Sequence, residues 1–363
     1  MHSFSLLLCL LLCSLCARAD DGALPPYQPR FGRERPVIAV VAQNRMTELA
    51  DYVVPLGVLR RSAAAEVLAL ATEPGPVQLM PALRLQPQAS LDAFEQRYPQ
   101  GADYLIVPAV HDSADPALLA FVRAQAAQGT IIIGICDGVL VLGNAGLLHG
   151  RRATGHWYSR SQRKREFPDA RWIENRRYIA DGNIITTSGV TAALPVSLAL
   201  VAAIAGQPRA ARLAREFGVQ DWSAQHDSQR FSLGASGYLT AAGNYLALWN
   251  HEDFDVSLEP GFDEVSLALA VDAWARTFRS EVQATAAHPV TSAGGLIFLP
   301  DQADRHPPLP GVGATAIQTL DRALDAIARR YGEATRQLVA AQLEYASPEQ
   351  SGHLARRNNM DNP

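Results

Sequence analysis

The chain of 363 residues is 48% hydrophobic and 19% charged, the ordinary balance of a soluble globular protein with one large or two modest cores. Its formal net charge of −4 gives no electrostatic reason to bind nucleic acid, so that class of partner is set aside. Lys164 is the only lysine, and the arginines that carry the remaining positive charge form no stripe.

Residues 1–19 stand apart. Leu6–Leu12 is apolar apart from Cys9, and the stretch ends in Ala17-Arg18-Ala19 before Asp20-Asp21. An apolar run of this length with a small-x-small exit reads as a secretory signal, too short to span a bilayer. The expected mature chain therefore begins at Asp20, is periplasmic or secreted, and has no membrane contact after cleavage. Three of the four cysteines, Cys9, Cys13 and Cys16, lie inside that signal. Cleavage leaves Cys136 alone, without an internal disulfide partner: buried and inert, paired between chains, or reactive.

Residues 20–35 are polar and proline-bearing, a leader. The β-branched run from Pro36 to Ala42 predicts a buried first strand, and Leu49, Val53, Leu56 and Leu59 give 49–61 helical spacing. Further strands are predicted at 67–71, 103–108, 130–135 and 184–187, with helices at 115–128, 194–205 and 209–217. Alternation of this kind implies an α/β fold, a doubly wound, mostly parallel sheet with helices on both faces. A linker runs to Phe231, and residues 232–345 form a smaller C-terminal α/β extension. In it, Phe262–Val265, Glu281–Ala284 and Leu296–Pro300 echo Met46–Leu49, Glu66–Ala69 and Leu83–Pro87. The echo implies a degenerate half-repeat of the first βαβ unit, with residues 266–279 helical. Residues 315–343 read as one long amphipathic helix, and 346–363 as a disordered tail.

The chemical signal is Gly134-Ile135-Cys136-Asp137-Gly138, between a strand and the helical stretch 139–145. A side chain on so sharp a strand-to-helix turn is pushed out over the carboxyl edge of the sheet, and flanking glycines relieve the crowding. The helix N-terminus behind it favours thiolate over thiol. An inert buried cysteine is the competing reading.

These residues, with Leu142–Leu148 and Gly150–Trp157, resemble the ThiJ/PfpI superfamily of class I glutamine amidotransferase-like proteins. The likeness is strongest to the amidotransferase-like domain of AraC-type regulators and to isonitrile hydratases. Asp51–Pro55 with Val58–Arg61, Gln86–Leu91 and Thr186–Ala192 fit other motifs of that superfamily in the right order, so the resemblance covers residues 36–231. It implies a nucleophile-elbow cysteine at Cys136 and a dimer; no cofactor or metal is expected. Aligned on Pro55, Asp51 takes the place of the superfamily's carboxylate beside the sulfur, as a proton partner able to serve as general acid or base. Glu48, one helical turn earlier, is the second candidate. His156 falls where relatives often place a histidine near the thiol, and His111 is a weaker candidate.

Two departures matter. Asp137 stands where the superfamily's proteases have histidine, which weakens a Cys-His dyad of that type and opposes thiolate formation. Pro108-Ala109-Val110 replaces a glycine pair that lines the oxyanion pocket, leaving the Ala109 and Val110 N–H groups to serve there. The catalytic set is thus Cys136, Asp51, His156 and Asp137, in a cysteine-dependent hydrolase or lyase for a small molecule. The alternative is a ligand- or redox-sensing module, as in the regulators. No DNA-binding helix pair is read in the sequence. Asp51 falls opposite Leu267 in the echo, so that copy lacks the chemistry.

Overall fold

A computed structural model describes residues 22–301 and 305–346. The expected signal and nearly all of the expected tail lie outside the described residues. The run Val37–Ala42 forms a strand buried at every position. Alternate residues serve two cores: Ile38, Val40 and Ala42 face one, and Val37, Ala39 and Val41 the other. A strand buried on both faces belongs in the middle of a parallel sheet, and it sits there. The seven strands run in the order Tyr178–Asp181, Ile184–Thr187, Ile131–Gly134, Tyr104–Val107, Val37–Ala42, Glu66–Ala71 and Ala89–Ser90. All neighbours are parallel except the first pair. Helices Leu49–Ser62 and Ala193–Ala205 cover one face, and Leu91–Arg97, Pro116–Ala127 and Gly138–Asn144 the other. The fold is α/β with a mostly parallel sheet, and the carboxyl ends of its strands converge on the turn that carries Cys136.

In the extension, Glu252–Ser257 and Ser280–Thr285 pair in parallel around helix Glu264–Ala275. Their register covers six residue pairs, as in the Val37–Ala42 and Glu66–Ala71 pair, with a strand-to-strand offset one residue shorter. The helix starts where Asp263 accepts from the Val265 and Ser266 N–H groups. It stops at Ala275, short of the expected Arg279, because the Thr277 hydroxyl takes the Trp274 carbonyl and Phe278 turns to a φ of 58°. This helix packs on Leu49–Ser62 at Gly57, where a Cβ would come within 2.6 Å of Val265 Cγ2. The segments following the two units, Arg84–Gln86 and Ile297–Leu299, pair antiparallel with Leu85 opposite Phe298. Like elements meeting like elements is the geometry of a two-fold association, here inside one chain.

The long C-terminal helix expected over 315–343 is two helices, Ala316–Tyr331 and Glu333–Leu343. Gly332 breaks it at a φ of 88°, outside the helical basin and accessible to glycine at no steric cost. A further helix, Ala235–Leu246, occupies a stretch to which the sequence reading assigned no element. No helix among the described residues is long and apolar enough to cross a membrane.

Candidate active site

Cys136 lies between strand Ile131–Gly134 and helix Gly138–Asn144 with a φ of 55°, a conformation that costs a non-glycine residue energy and persists only where its surroundings hold it. Its N–H donates to Thr187 Oγ1 at 3.0 Å, fixing the turn against the neighbouring strand. A Cβ at residue 138 would sit 2.1 Å from the Val107 carbonyl oxygen, so only Gly138 lets the helix start here. The free thiol is 5% exposed. Burial first, then the fields of Asp51, Asp137 and Glu48, push its pKa well above the ordinary cysteine value, while Arg276 pulls it down. This corrects the expectation that the helix end would favour thiolate: a seven-residue helix does not outweigh desolvation plus three carboxyls. At neutral pH the sulfur carries its proton.

Asp51, in the first turn of Leu49–Ser62, is fully buried. Its Oδ2 accepts from the Ala109 N–H at 3.2 Å, while Oδ1 has no hydrogen-bond partner. Burial raises its pKa well above the usual carboxylate range; the Ala109 N–H and Arg276 oppose the shift, and Asp272 and Asp137 add to it. Glu48 is likewise raised, by burial and then by Asp272, against the pull of Arg276. Arg276 Nη2 reaches Glu48 Oε1 at 2.6 Å and its Nε reaches Asp272 Oδ1 at 2.8 Å. Thus the extension delivers the cation that holds together the acid pocket of the first domain. The Ala109 N–H, offered by the sequence reading to an oxyanion, is used by Asp51. The His111 side chain is exposed and joins none of this.

On the other side of the sulfur, donor atoms of Cys136, Asp137 and His156 lie within 4.8 Å of one another, the one group among the described residues whose spacing could hold a metal ion. Asp137 Oδ1 accepts from the Ser159 hydroxyl at 2.5 Å, and Ser159 Oγ in turn accepts from Arg163 Nε at 2.9 Å. Burial lowers the Arg163 pKa to about 10, with Asp137 and Glu344 opposing. His156 Nε2 faces the Gln342 carbonyl oxygen at 2.9 Å, and its Nδ1 faces the Tyr158 N–H at 3.3 Å.

The end of helix Glu333–Leu343 closes this side. Glu344 accepts from the Trp157 N–H, the Gly189 N–H and His226 Nε2, each at 2.9 Å. Burial pushes its pKa up, but the His226 hydrogen bond and the fields of His156 and His226 prevail and hold it at about 2. The structure therefore brings together all four sequence-derived residues, Cys136, Asp51, His156 and Asp137. It adds Arg276, Asp272, Glu344 and His226, which the sequence reading missed. None of these carries a local signature, because each acts from a segment distant in sequence from the elbow.

A profile of the DJ-1/PfpI family matches residues 37–203. Over 93 residues, 25% of this chain and 39% of the relative, the sequence is 40% identical to an isonitrile hydratase of Pseudomonas putida. Over 167 residues, 45% of this chain and 48% of the relative, it is 28% identical to the HTH-type transcriptional regulator CdhR of Pseudomonas aeruginosa. The chain thus spans less than half the length of either relative. Among solved structures, a ThiJ/PfpI family protein from Pseudomonas syringae aligns with a TM-score of 0.46 at 27% identity, over 54% of this chain and 84% of that one. Drosophila melanogaster DJ-1beta aligns with a TM-score of 0.47 at 20% identity, over 52% of this chain and 100% of that one. With Cys136 buried at its strand-to-helix elbow, the chain carries a DJ-1/PfpI family domain across residues 37–203.

Proposed function

We propose that the protein is an exported cysteine-dependent hydrolase or lyase that acts on a small molecule through Cys136, with Asp51 as its proton partner. One observation carries this reading. Asp51 is fully buried, has its pKa raised by that burial, keeps Oδ1 unpartnered, and is electrostatically coupled to the thiol. A carboxyl and a thiol that both favour their protonated forms share protons readily: sulfur attacks carbon as a proton moves through Asp51. The isonitrile hydratase relative points to a slender electrophile, which suits a thiol only 5% exposed. With an isonitrile, sulfur bonds to the terminal carbon and that carbon gains the proton. Water then cleaves the carbon–sulfur bond, releasing a formamide and restoring the thiol.

The test is turnover of a panel of small isonitriles by the chain beginning at Asp20. Saturable formamide release is expected, falling to background in Cys136→Ala. Equal turnover by that variant would end the proposal. A second reading is a ligand- or redox-sensing module, which agrees with the regulator relative. No turnover, with a ligand-induced rise in melting temperature, would select it.

Export rests on the apolar run and the Ala17-Arg18-Ala19 exit. Amino-terminal sequencing of the native protein is expected to begin at Asp20. An intact Met1 in a soluble cytoplasmic fraction would refute this.

A further inference from the structure

Exposed apolar surface is concentrated in one segment outside the DJ-1/PfpI domain. Residues 231–250 contain no charged side chain, and helix Ala235–Leu246 buries none of its residues. Tyr238, Leu239, Tyr245 and Leu246 on the helix, with Leu248 and Trp249 just after it, are 55, 74, 64, 68, 69 and 82% exposed. The segment is nevertheless anchored. Asn244 Nδ2 donates to the Thr277 carbonyl at 2.9 Å and to Thr335 Oγ1 at 3.1 Å, and His251 Nε2 lies 3.0 Å from the Asn244 carbonyl oxygen. Its outer face is therefore held in a fixed orientation.

At roughly 200 Å² per fully exposed large side chain, the six present roughly 800 Å². That is the area each partner contributes to a stable interface of standard size, and it exceeds the largest apolar patch of an ordinary monomer. Ala235, Leu239, Ala242 and Leu246 are all exposed and recur at intervals of four, three and four residues, the spacing of a helix-to-helix seam. Ala242, near the middle, is small enough for two helix axes to approach closely.

We infer that this helix is the contact between two copies of the chain, packed helix on helix about a two-fold axis. A seam of alternating leucine and alanine is complementary to itself, which is all that a two-fold contact requires. An acidic or basic peptide would find no opposite charge here. A helix lying on a membrane surface carries lysine or arginine on its polar face, and this one carries neither.

The test uses the chain beginning at Asp20. Sedimentation across micromolar concentrations is expected to show a dimer. Leu239→Glu with Leu246→Glu places unpaired charge in the seam and is expected to weaken the dimer by at least about 100-fold, with an unchanged circular dichroism spectrum. Should that variant misfold, Ala242→Cys decides: oxidation is expected to cross-link two chains, since residues near the axis come within disulfide reach. A monomer at every concentration, an unaffected dimer in the folded double variant, or no cross-link would overturn the inference. Flotation of a monomeric wild type with phosphatidylcholine–phosphatidylglycerol vesicles would also overturn it, and assign the patch to a membrane surface.

Discussion

Arg276→Met is expected to cost about 3–5 kcal/mol of unfolding free energy at neutral pH, because it strands a buried carboxyl cluster without its cation. Glu48 is 6% exposed and Asp272 fully buried, and Arg276 bonds both, at 2.6 and 2.8 Å. Methionine fills most of the volume but supplies no charge, so the orphaned carboxyls must take up protons or stay ionised out of water. The deficit should shrink below the ordinary carboxylate range, where Glu48, whose pKa burial raises, is protonated in folded and unfolded chains alike. Adding Asp272→Asn should recover part of the loss. Chemical denaturation measures all three proteins. A loss under about 1 kcal/mol, the worth of a surface pair, would show that the cluster does not depend on Arg276.

For Asp51→Asn the expected outcome is a protein that is more stable and less active. The folded pKa of Asp51 is raised, so the folded chain binds more protons than the unfolded one between the ordinary aspartate value and that raised value. Wild-type stability therefore falls as pH climbs through this window, and at neutral pH the cost is present. Asparagine can still accept from Ala109 but never ionises, and should gain up to about 2 kcal/mol. Turnover should drop by about 10²–10⁴, the usual contribution of a positioned acid or base. Alkylation of Cys136 should move the other way. Asp51 raises the thiol pKa, so its removal should shift the onset of labelling to lower pH. Unchanged turnover would remove Asp51 from the mechanism, whatever its effect on stability.

What the sequence discloses here follows the range over which each signal acts. The run Val37–Ala42 announces a central strand because burial on both faces leaves no polar position to disguise it. The elbow is legible because its glycines answer a local demand, the 2.1 Å approach to the Val107 carbonyl oxygen at residue 138. Gly332 could have warned of the break in the C-terminal helix, since amphipathic spacing continues on both sides and hides it. The sign of the thiol shift could not be read locally. It depends on Glu48, Asp51 and Arg276, which contiguity does not place near Cys136. Ala235–Leu246 escaped for another reason: an apolar helix with no buried side has none of the contrast that periodicity detects.

The packing of the second strand–helix–strand unit on the first helix frees the site from a constraint that binds symmetric assemblies. Where identical subunits complete one another, each must carry both what it keeps and what it lends, and every substitution appears twice. Here one stretch carries Cys136 and Asp51, while the other lends Arg276. Division of labour within one polypeptide lets the keeping and the lending stretch vary independently. It also fixes the effective concentration of the loan by the connecting chain, so that dilution does not withdraw it.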